Sequence, residues 1–360
     1  MSPRNLLHAT LLLLAISASA RTPAEVTKIG DSVVDTQALT IQGSFGQRIN
    51  GLAFQQDALV THRGYQYVAY YNAARRVCLA RRKLPAGDWA ILRFPDYHFT
   101  SNDAHNTISL GICPQDGTIH LAFDHHGHPL HYRVSRKGAA RNPDRTVWEC
   151  SLFGPIVSEL ERGRPIRITY PRFWQTPDGG LQFCYRQGGS GNGDRMLVDY
   201  DAETGHWKNT RQIDSRRGLF RDAAGESRSR CSYPNGYDYG PMGKLHATWV
   251  WRESSQGSNH DLIYAYSEDR GKTWIDRQRL FEGICGHPPM KMLQSKTGRI
   301  VVPVQFYMRN PGRNVIRTYV TDDNGKTWRS SNVIDLRGHG HHDGAFEPTM
   351  VELKDGRIWM

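Results

Sequence analysis

The chain has 360 residues, 38% of them hydrophobic, and 46 Lys and Arg against 35 Asp and Glu, a formal net charge of +11 at pH 7. That length carries one large β domain or two ordinary ones, and the absence of a Pro/Ser-rich linker favours one. No apolar stretch approaches the roughly 20 residues a membrane-spanning helix needs, which excludes a span. The basic excess suits an anionic partner drawn in by long-range steering, or a surface that serves solubility alone. Nucleic acid is set aside because the Lys and Arg are scattered; an acidic polysaccharide fits the charge.

Residues 1–20 read as a signal peptide. Arg4 is followed by the apolar run Leu11–Ile16 and then by Ala18-Ser19-Ala20, the small-residue pattern at which such peptides are cut. Residues 21–35 form an N-terminal segment, and 36–360 the folded domain. Export permits disulfides, but the six cysteines (Cys78, Cys113, Cys150, Cys184, Cys231 and Cys285) sit mostly within apolar, strand-like runs. Buried thiols are expected.

A turn followed by a strand recurs along the chain: Arg63–Val68, Asp116–Leu121, Gly179–Phe183, Met242–His246, Thr297–Val301 and Asp355–Trp359. The turn glycines lie 53 to 63 residues apart, and each supplies the positive φ that a tight hairpin requires. Around them apolar residues alternate with period two. The second unit reads as strands Thr107–Cys113, Thr118–Asp124 and Leu130–Ser135. Four strands with their loops consume this length, which is one blade of an all-β propeller of four-stranded antiparallel blades. Ser267–Trp274 and Thr321–Trp328 both match S/T-x-D-x-G-x-T-W, an Asp-box whose Asp and Gly build a turn and whose Trp packs between blades. The sixth unit stops at Met360 within its second strand, so a seven-bladed parent with its last blades missing here is expected.

In a propeller the start of each first strand and the end of each second strand share one face. The pre-strand positions hold His105, Tyr170, Tyr233, His287 and Glu347; the second-strand ends hold His125 and Arg186. His105, His125, Tyr170 and Arg186 are therefore the candidate catalytic residues, with Asn106, Tyr233, His287 and Glu347 as candidate substrate contacts. The set suits elimination from a uronic acid. Arginine neutralises the carboxylate through a planar, permanently charged fork, histidine takes a proton near neutral pH, and a tyrosine hydroxyl protonates the leaving oxygen.

His105-Asn106-Thr107, Phe123–Arg133 (Phe-Asp-His-His-Gly-His-Pro-Leu-His-Tyr-Arg), Thr169–Phe173, Tyr185–Gly193 and His246–Arg252 together resemble the BNR-4 repeat family, whose relatives include ulvan lyases with seven-bladed propellers. The spacings of 20 residues from His105 to His125 and 16 from Tyr170 to Arg186 are similar to the catalytic set of those lyases. The resemblance implies His105 and Tyr170 as the proton-transfer pair, His105 being favoured as base. It implies His125 as assisting base or orienter and Arg186 as carboxylate neutraliser. It requires no cofactor for catalysis. Some such lyases carry a structural zinc, for which His246 and His260 are the candidates, with His339–Asp343 as a further source of ligands; ordinary strand histidines are the default. A sialidase-like hydrolase is the rival function, weakened by the lack of a Phe/Tyr-Arg-Ile-Pro motif, and a non-catalytic glycan-binding propeller is the third.

Overall fold

The computed structural model describes residues 27, 28, 30–42, 48–51, 59–223, 225–254, 259–286, 292–310, 312–340, 343–345 and 348–360. The signal-peptide segment, His287, Glu347, His341 and His342 lie outside the described residues. The chain divides into two units after Val34; among the described residues of the first, Lys28 pairs with Asp31 at 3.0 Å, and the second, Asp35–Met360, carries all that follows.

The second unit is a succession of antiparallel sheets. Sheet I contains β1 (Leu59–His62), β2 (Tyr65–Tyr71), β3 (Val77–Lys83) and β4 (Ala90–Arg93), in that order. Sheet II contains β5 (Ile108–Ile112), β6 (Ile119–Phe123) and β8 (Tyr132–Val134). Sheet III runs from β7 (His126–Pro129) through β9 (Arg167–Gln175), β10 (Leu181–Gly189) and β11 (Asn192–Asp201) to β12 (His206–Asp214). Sheet IV contains β13 (Arg217–Asp222), β14 (Gly225–Tyr239), β15 (Leu245–Glu253), β16 (Asn259–Ser267) and β17 (Ile275–Ile284). Sheet V contains β18 (Leu293–Gln294), β19 (Ile300–Arg309), β20 (Gly312–Thr321) and β21 (Arg329–Ser330), and β22 (Val351–Glu352) pairs with β23 (Ile358–Trp359).

Period-two alternation turns these sheets into a propeller. Successive side chains on a strand point to opposite faces, and here the two faces feed two different cores. In sheet III, Phe183 and Val198 pack with Ala122, Leu130 and Tyr132 of the sheet II region, while their chain neighbours Cys184 and Leu197 pack with Trp249 and Ala265 of sheet IV. In sheet IV, Trp249, Trp251 and Ile263 face sheet III, and Val250, Leu262 and Tyr264 face Ile300, Val302 and Val304 of sheet V. Sheets III and IV are thus packed on both faces, which is why their middle strands are buried along nearly their whole length.

The turn glycines behave as their spacing predicts: Gly64, Gly117, Gly179, Gly243, Gly298 and Gly356 all have φ between 73° and 89°. In the third unit it is Gly179, not Gly180, that takes the left-handed conformation. The Asp-boxes are structural. Asp269 accepts the backbone N–H of Lys272 and Thr273 at 3.1 and 2.8 Å and the Thr273 hydroxyl at 2.6 Å. Trp274 packs on the sheet III–IV core and Trp328 on the sheet IV–V core. All six cysteines are thiols, five of them buried.

Sheets II, III and IV depart from four strands. Sheet II has three, its outer edge met by the isolated bridges Tyr132↔Val157 and Ser135↔Phe153. Its chain leaves β6 and pairs β7 with β9 of the next blade, His126 opposite Thr169, before returning as β8. This crossing, absent from the sequence reading, stitches sheet II to sheet III where the candidate residues lie. No helix among the described residues is long and apolar enough to cross a membrane.

Candidate active site

The loop before β5 carries a turn closed by Asp103, whose Oδ1 accepts the His105 backbone N–H at 3.0 Å. The same carboxylate reaches two imidazoles: Oδ1 lies 2.5 Å from His105 Nδ1 and Oδ2 lies 2.6 Å from His126 Nδ1. The two rings stack with centroids 4.3 Å apart and planes 24° from parallel, and each centroid lies 6.0 Å from that of Tyr170. Burial works to raise the Asp103 carboxyl, but the His105 backbone N–H and the two imidazoles outweigh it and hold the acid far below the usual carboxylate range. Burial lowers His126, with the Asp103 hydrogen bond working against it, so that ring is neutral at neutral pH.

Tyr170 is aimed by a bulge. Between Cys184↔Arg172 and Arg186↔Thr169 the β9–β10 register slips, leaving Tyr170 and Pro171 opposite Tyr185 alone. Bulges re-aim side chains in this way, and Pro171 fits where no ladder N–H is needed. Tyr170 takes φ 53°, a conformation an aromatic L-residue holds only under the constraint of its surroundings. Its hydroxyl meets that of Tyr233 at 3.1 Å. Burial, reinforced by Tyr233, raises the Tyr170 phenol well above its ordinary pKa, so it is protonated across the neutral range.

Arg186 lies in β10, the strand paired with β9, opposite Thr169. Its guanidinium carbon sits 5.0 Å from the Tyr170 ring centre, Nη1 faces Cys231 Sγ at 3.8 Å, and Nε has no hydrogen-bond partner among the described residues. The residue is 2% exposed, and no carboxylate among the described residues pairs with it. A buried cation without its anion costs several kcal/mol, on the order of 3–5 when a partner is removed, which prepares the place for an anionic group. The glycines of the β10–β11 hairpin make room for it. A Cβ on Gly193 would lie 2.8 Å from Arg186 Cγ and Cδ, and one on Gly191 (φ 65°) would lie 2.5 Å from the Glu253 carbonyl. A second cation, Arg252, lies 5.5 Å from the Tyr233 ring centre and donates from Nε to Ser190 Oγ at 2.6 Å.

The structure therefore brings together His105, Tyr170, Tyr233 and Arg186. It puts His126, rather than His125, beside them. His125 is buried; its Nε2 accepts the His131 backbone N–H at 2.9 Å, and its ring stacks on that of His131 at 5.7 Å. The reason is local: Asp124 adopts φ 63°, which breaks the two-residue alternation that a continuous β6 would have kept. Asn106 is also relocated. It is fully buried, its side-chain amide N–H donates to Asp124, and its backbone carbonyl accepts the Tyr71 hydroxyl at 2.8 Å. It holds the His105 loop onto β6 and does not present its amide to a ligand.

The proposed zinc pair does not fit. His246 starts β15 opposite Tyr266, and His260 starts β16 opposite Trp251, at the other end of the antiparallel pair. Five intervening steps of about 3.3 Å place them on the order of 17 Å apart. Both are engaged, His246 Nδ1 with Tyr264 Oη at 2.9 Å and His260 with Glu253 at 2.9 Å and Asp261 at 3.2 Å. Among the described residues, the one His/Cys/Asp/Glu triad with ligand atoms within 4.8 Å of one another is Asp103, His105 and His126. Asp103 and His126 were not singled out from sequence; the signal available was an acid two residues before His105.

The arrangement offers a cation for an anionic group, a protonated phenol and two imidazoles on one carboxylate. Comparison with known proteins agrees in fold. The solved polysaccharide lyase Uly1 superposes with a TM-score of 0.61 at 20% identity over 82% of this chain and 77% of that one. A PL25 ulvan lyase does so at 0.56 and 13%, over 82% and 73%. In sequence, the long-isoform ulvan lyase of Alteromonas sp. (strain LOR) is 31% identical over 188 residues, 42% of this chain and 19% of that protein. The short isoform from the same strain is 27% identical over 205 residues, 45% of this chain and 38% of its own length. The chain thus spans a fifth to two fifths of these curated relatives. The pattern described as BNR repeat-containing family member, BNR_4, matches residues 65–284, more than half of the 360 residues, and the chain belongs to that family.

Proposed function

We propose that this protein is a polysaccharide lyase that cleaves a uronate-containing, ulvan-like polysaccharide by β-elimination outside the cytoplasm. The observation that carries the reading is the buried Arg186 guanidinium, without a carboxylate partner among the described residues, beside a protonated Tyr170 and an imidazole pair. An anionic sugar chain also suits the net charge of +11. A PL25 ulvan lyase has been solved bound to -[GlcA(1-4)Rha3S]-, and the chemistry of the site supports the same class of ligand here.

The step balances without water. Arg186 binds the uronate carboxylate and withdraws its charge, so the C5 proton becomes acidic. His105 takes that proton, with His126 the second imidazole in reach of the same space. The C5–H electron pair becomes the C4–C5 double bond, the C4–O bond breaks, and Tyr170 protonates the leaving oxygen. A neutral, buried phenol suits the donor role, and an imidazole suits the acceptor role. Each positioned acid or base contributes about 10²–10⁴ in rate, and the preorganised cation stabilises the charge developing on the carboxylate in the transition state.

The test is to incubate the protein with uronate-containing polysaccharides and follow the ultraviolet absorbance of the unsaturated product. Reducing ends without that chromophore would make it a hydrolase; binding without either product would make it a lectin. Export is tested by N-terminal sequencing of the secreted protein, expected to begin at Arg21.

A further inference from the structure

We propose that Asp103 is the positioning residue of this site: one carboxylate that sets which nitrogen carries the proton in two imidazoles at once. The geometry is specific. Its two oxygens are divided between the rings, Oδ1 to His105 Nδ1 at 2.5 Å and Oδ2 to His126 Nδ1 at 2.6 Å. A carboxylate only accepts, so both Nδ1 atoms must be the donors. Each neutral ring then keeps its lone pair on Nε2, the form in which an imidazole acts as a base.

The carboxylate is itself held. Asp103 Oδ1 also accepts the His105 N–H at 3.0 Å, the Asp103 N–H donates to Ser101 Oγ at 2.9 Å, and its carbonyl accepts the Asn106 N–H at 3.1 Å. Asn106 is anchored to Asp124. On the other side, the His126 backbone N–H donates to His128 Nδ1 at 3.1 Å, and Gly127 N–H to Thr169 Oγ1 at 2.8 Å. Two chain segments from different strands are therefore registered on one acid. Among the described residues, the charged and titratable groups around the pair include Asp103, Tyr170 of β9, Arg186 of β10 and His128 of β7. Among the described residues of this group Asp103 is the anion, and one negative charge balances one imidazolium. The pair therefore holds a single abstracted proton without holding two.

The proposal rests on the elimination reading only for its kinetic arm, so the first arm needs no substrate. Nitrogen-15 histidine NMR of the full chain, with His105→Gln and His126→Gln assigning the signals, is expected to show both neutral rings protonated on Nδ1. In Asp103→Asn the amide oxygen accepts from one ring, but the amide N–H must donate to the other, which forces that ring to the Nε2–H form. Two Nδ1–H rings in both proteins, or an Nε2–H ring in the wild type, would overturn the assignment. In the second arm, Asp103→Asn is expected to lower kcat by about 10²–10⁴ with little change in KM. It is also expected to move the acid limb of the rate profile to lower pH, since the Asp103 hydrogen bond works to raise the His126 imidazole. Asp103→Glu recovers part of the loss. An unmoved limb with unchanged kcat would refute the role. Activity abolished by a chelator and restored by zinc would also refute it, because ligated Nδ1 atoms carry no proton. If the wild type does not eliminate uronate, the elimination reading fails and the NMR arm alone decides this one.

Discussion

The β5–β6 hairpin carries a histidine cluster at each end, built from nearly the same residue types, and the two behave as opposites. At the turn end, His120 is fully buried; its Nε2 lies 2.7 Å from Thr118 Oγ1 and its Nδ1 2.7 Å from Tyr132 Oη, while Asp116 accepts the Thr118 and Tyr200 hydroxyls at 2.7 and 2.9 Å. Burial pushes His120 down to about 3, so it is neutral at any working pH, and both ring nitrogens are spent inside the protein. At the open end, the side chains of Asp103, His105 and His126 keep 28%, 19% and 30% of their exposure, and the acid touches the rings directly. A histidine next to an aspartate is thus structural when its polar atoms are consumed within the core. It becomes chemical when the acid fixes one nitrogen and leaves the ring partly exposed near a cation.

The widest separation of the two clusters comes from Arg186, which belongs only to the open end. Arg186→Ala is expected to cost about 10³-fold in kcat/KM in the elimination assay, the scale of removing a preorganised charge stabiliser. Arg186→Met is expected to lose the same activity yet raise Tm, since an apolar side chain replaces a buried cation without a carboxylate partner. A fall in Tm would show that the guanidinium is a structural tie. Next come the histidines themselves. His105→Ala should lower kcat by about 10²–10⁴ with the near-ultraviolet spectrum unchanged. His120→Ala should do the reverse: a stability loss of about 1–3 kcal/mol from the hydroxyls left without partners, measured by denaturant titration, with turnover per folded molecule preserved. Equal kinetic losses in both variants would erase the distinction.

Titration sharpens the comparison further. The folded-state pKa of His120 lies below its ordinary 6.5, so the unfolded chain binds more protons across the window from about 6.5 down to about 3. Stability is therefore retained above that window and lost as pH falls through it. In His120→Gln the acid-side decline of Tm should be shallower, whereas His126→Gln should alter the acid limb of the rate. The smallest effect is expected at Gly193, whose added Cβ in Gly193→Ala would press on the Arg186 side chain at 2.8 Å. A displacement short of 1 Å should cost about tenfold in kcat, less than the 10²-fold a full ångström brings, and an unchanged rate would mean that the arginine stem yields freely.

What could be read from the chain alone is what local physics dictates. Glycine alone takes positive φ without strain, so Gly64, Gly117, Gly243, Gly298 and Gly356 announced their hairpins, and the alternation around them announced strands buried on both faces. The Asp-box side chains bond within eight residues of chain, so their turns needed no tertiary partner. Tyr170 and Arg186 were legible as neighbours because the start of one strand and the far part of its antiparallel partner lie at the same edge of a blade. Tertiary structure decided the rest. The left-handed Asp124 switched the ring at the site from His125 to His126, the β7 crossing carried that ring to the neighbouring blade, and Asn106 disappeared under Tyr71 and Asp124. Antiparallel pairing set His246 and His260 at opposite ends of two strands. A single left-handed residue inverts the parity of everything after it, and strand pairing converts sequence distance into spatial distance by a rule that depends on direction. Neither is visible until the sheets have packed.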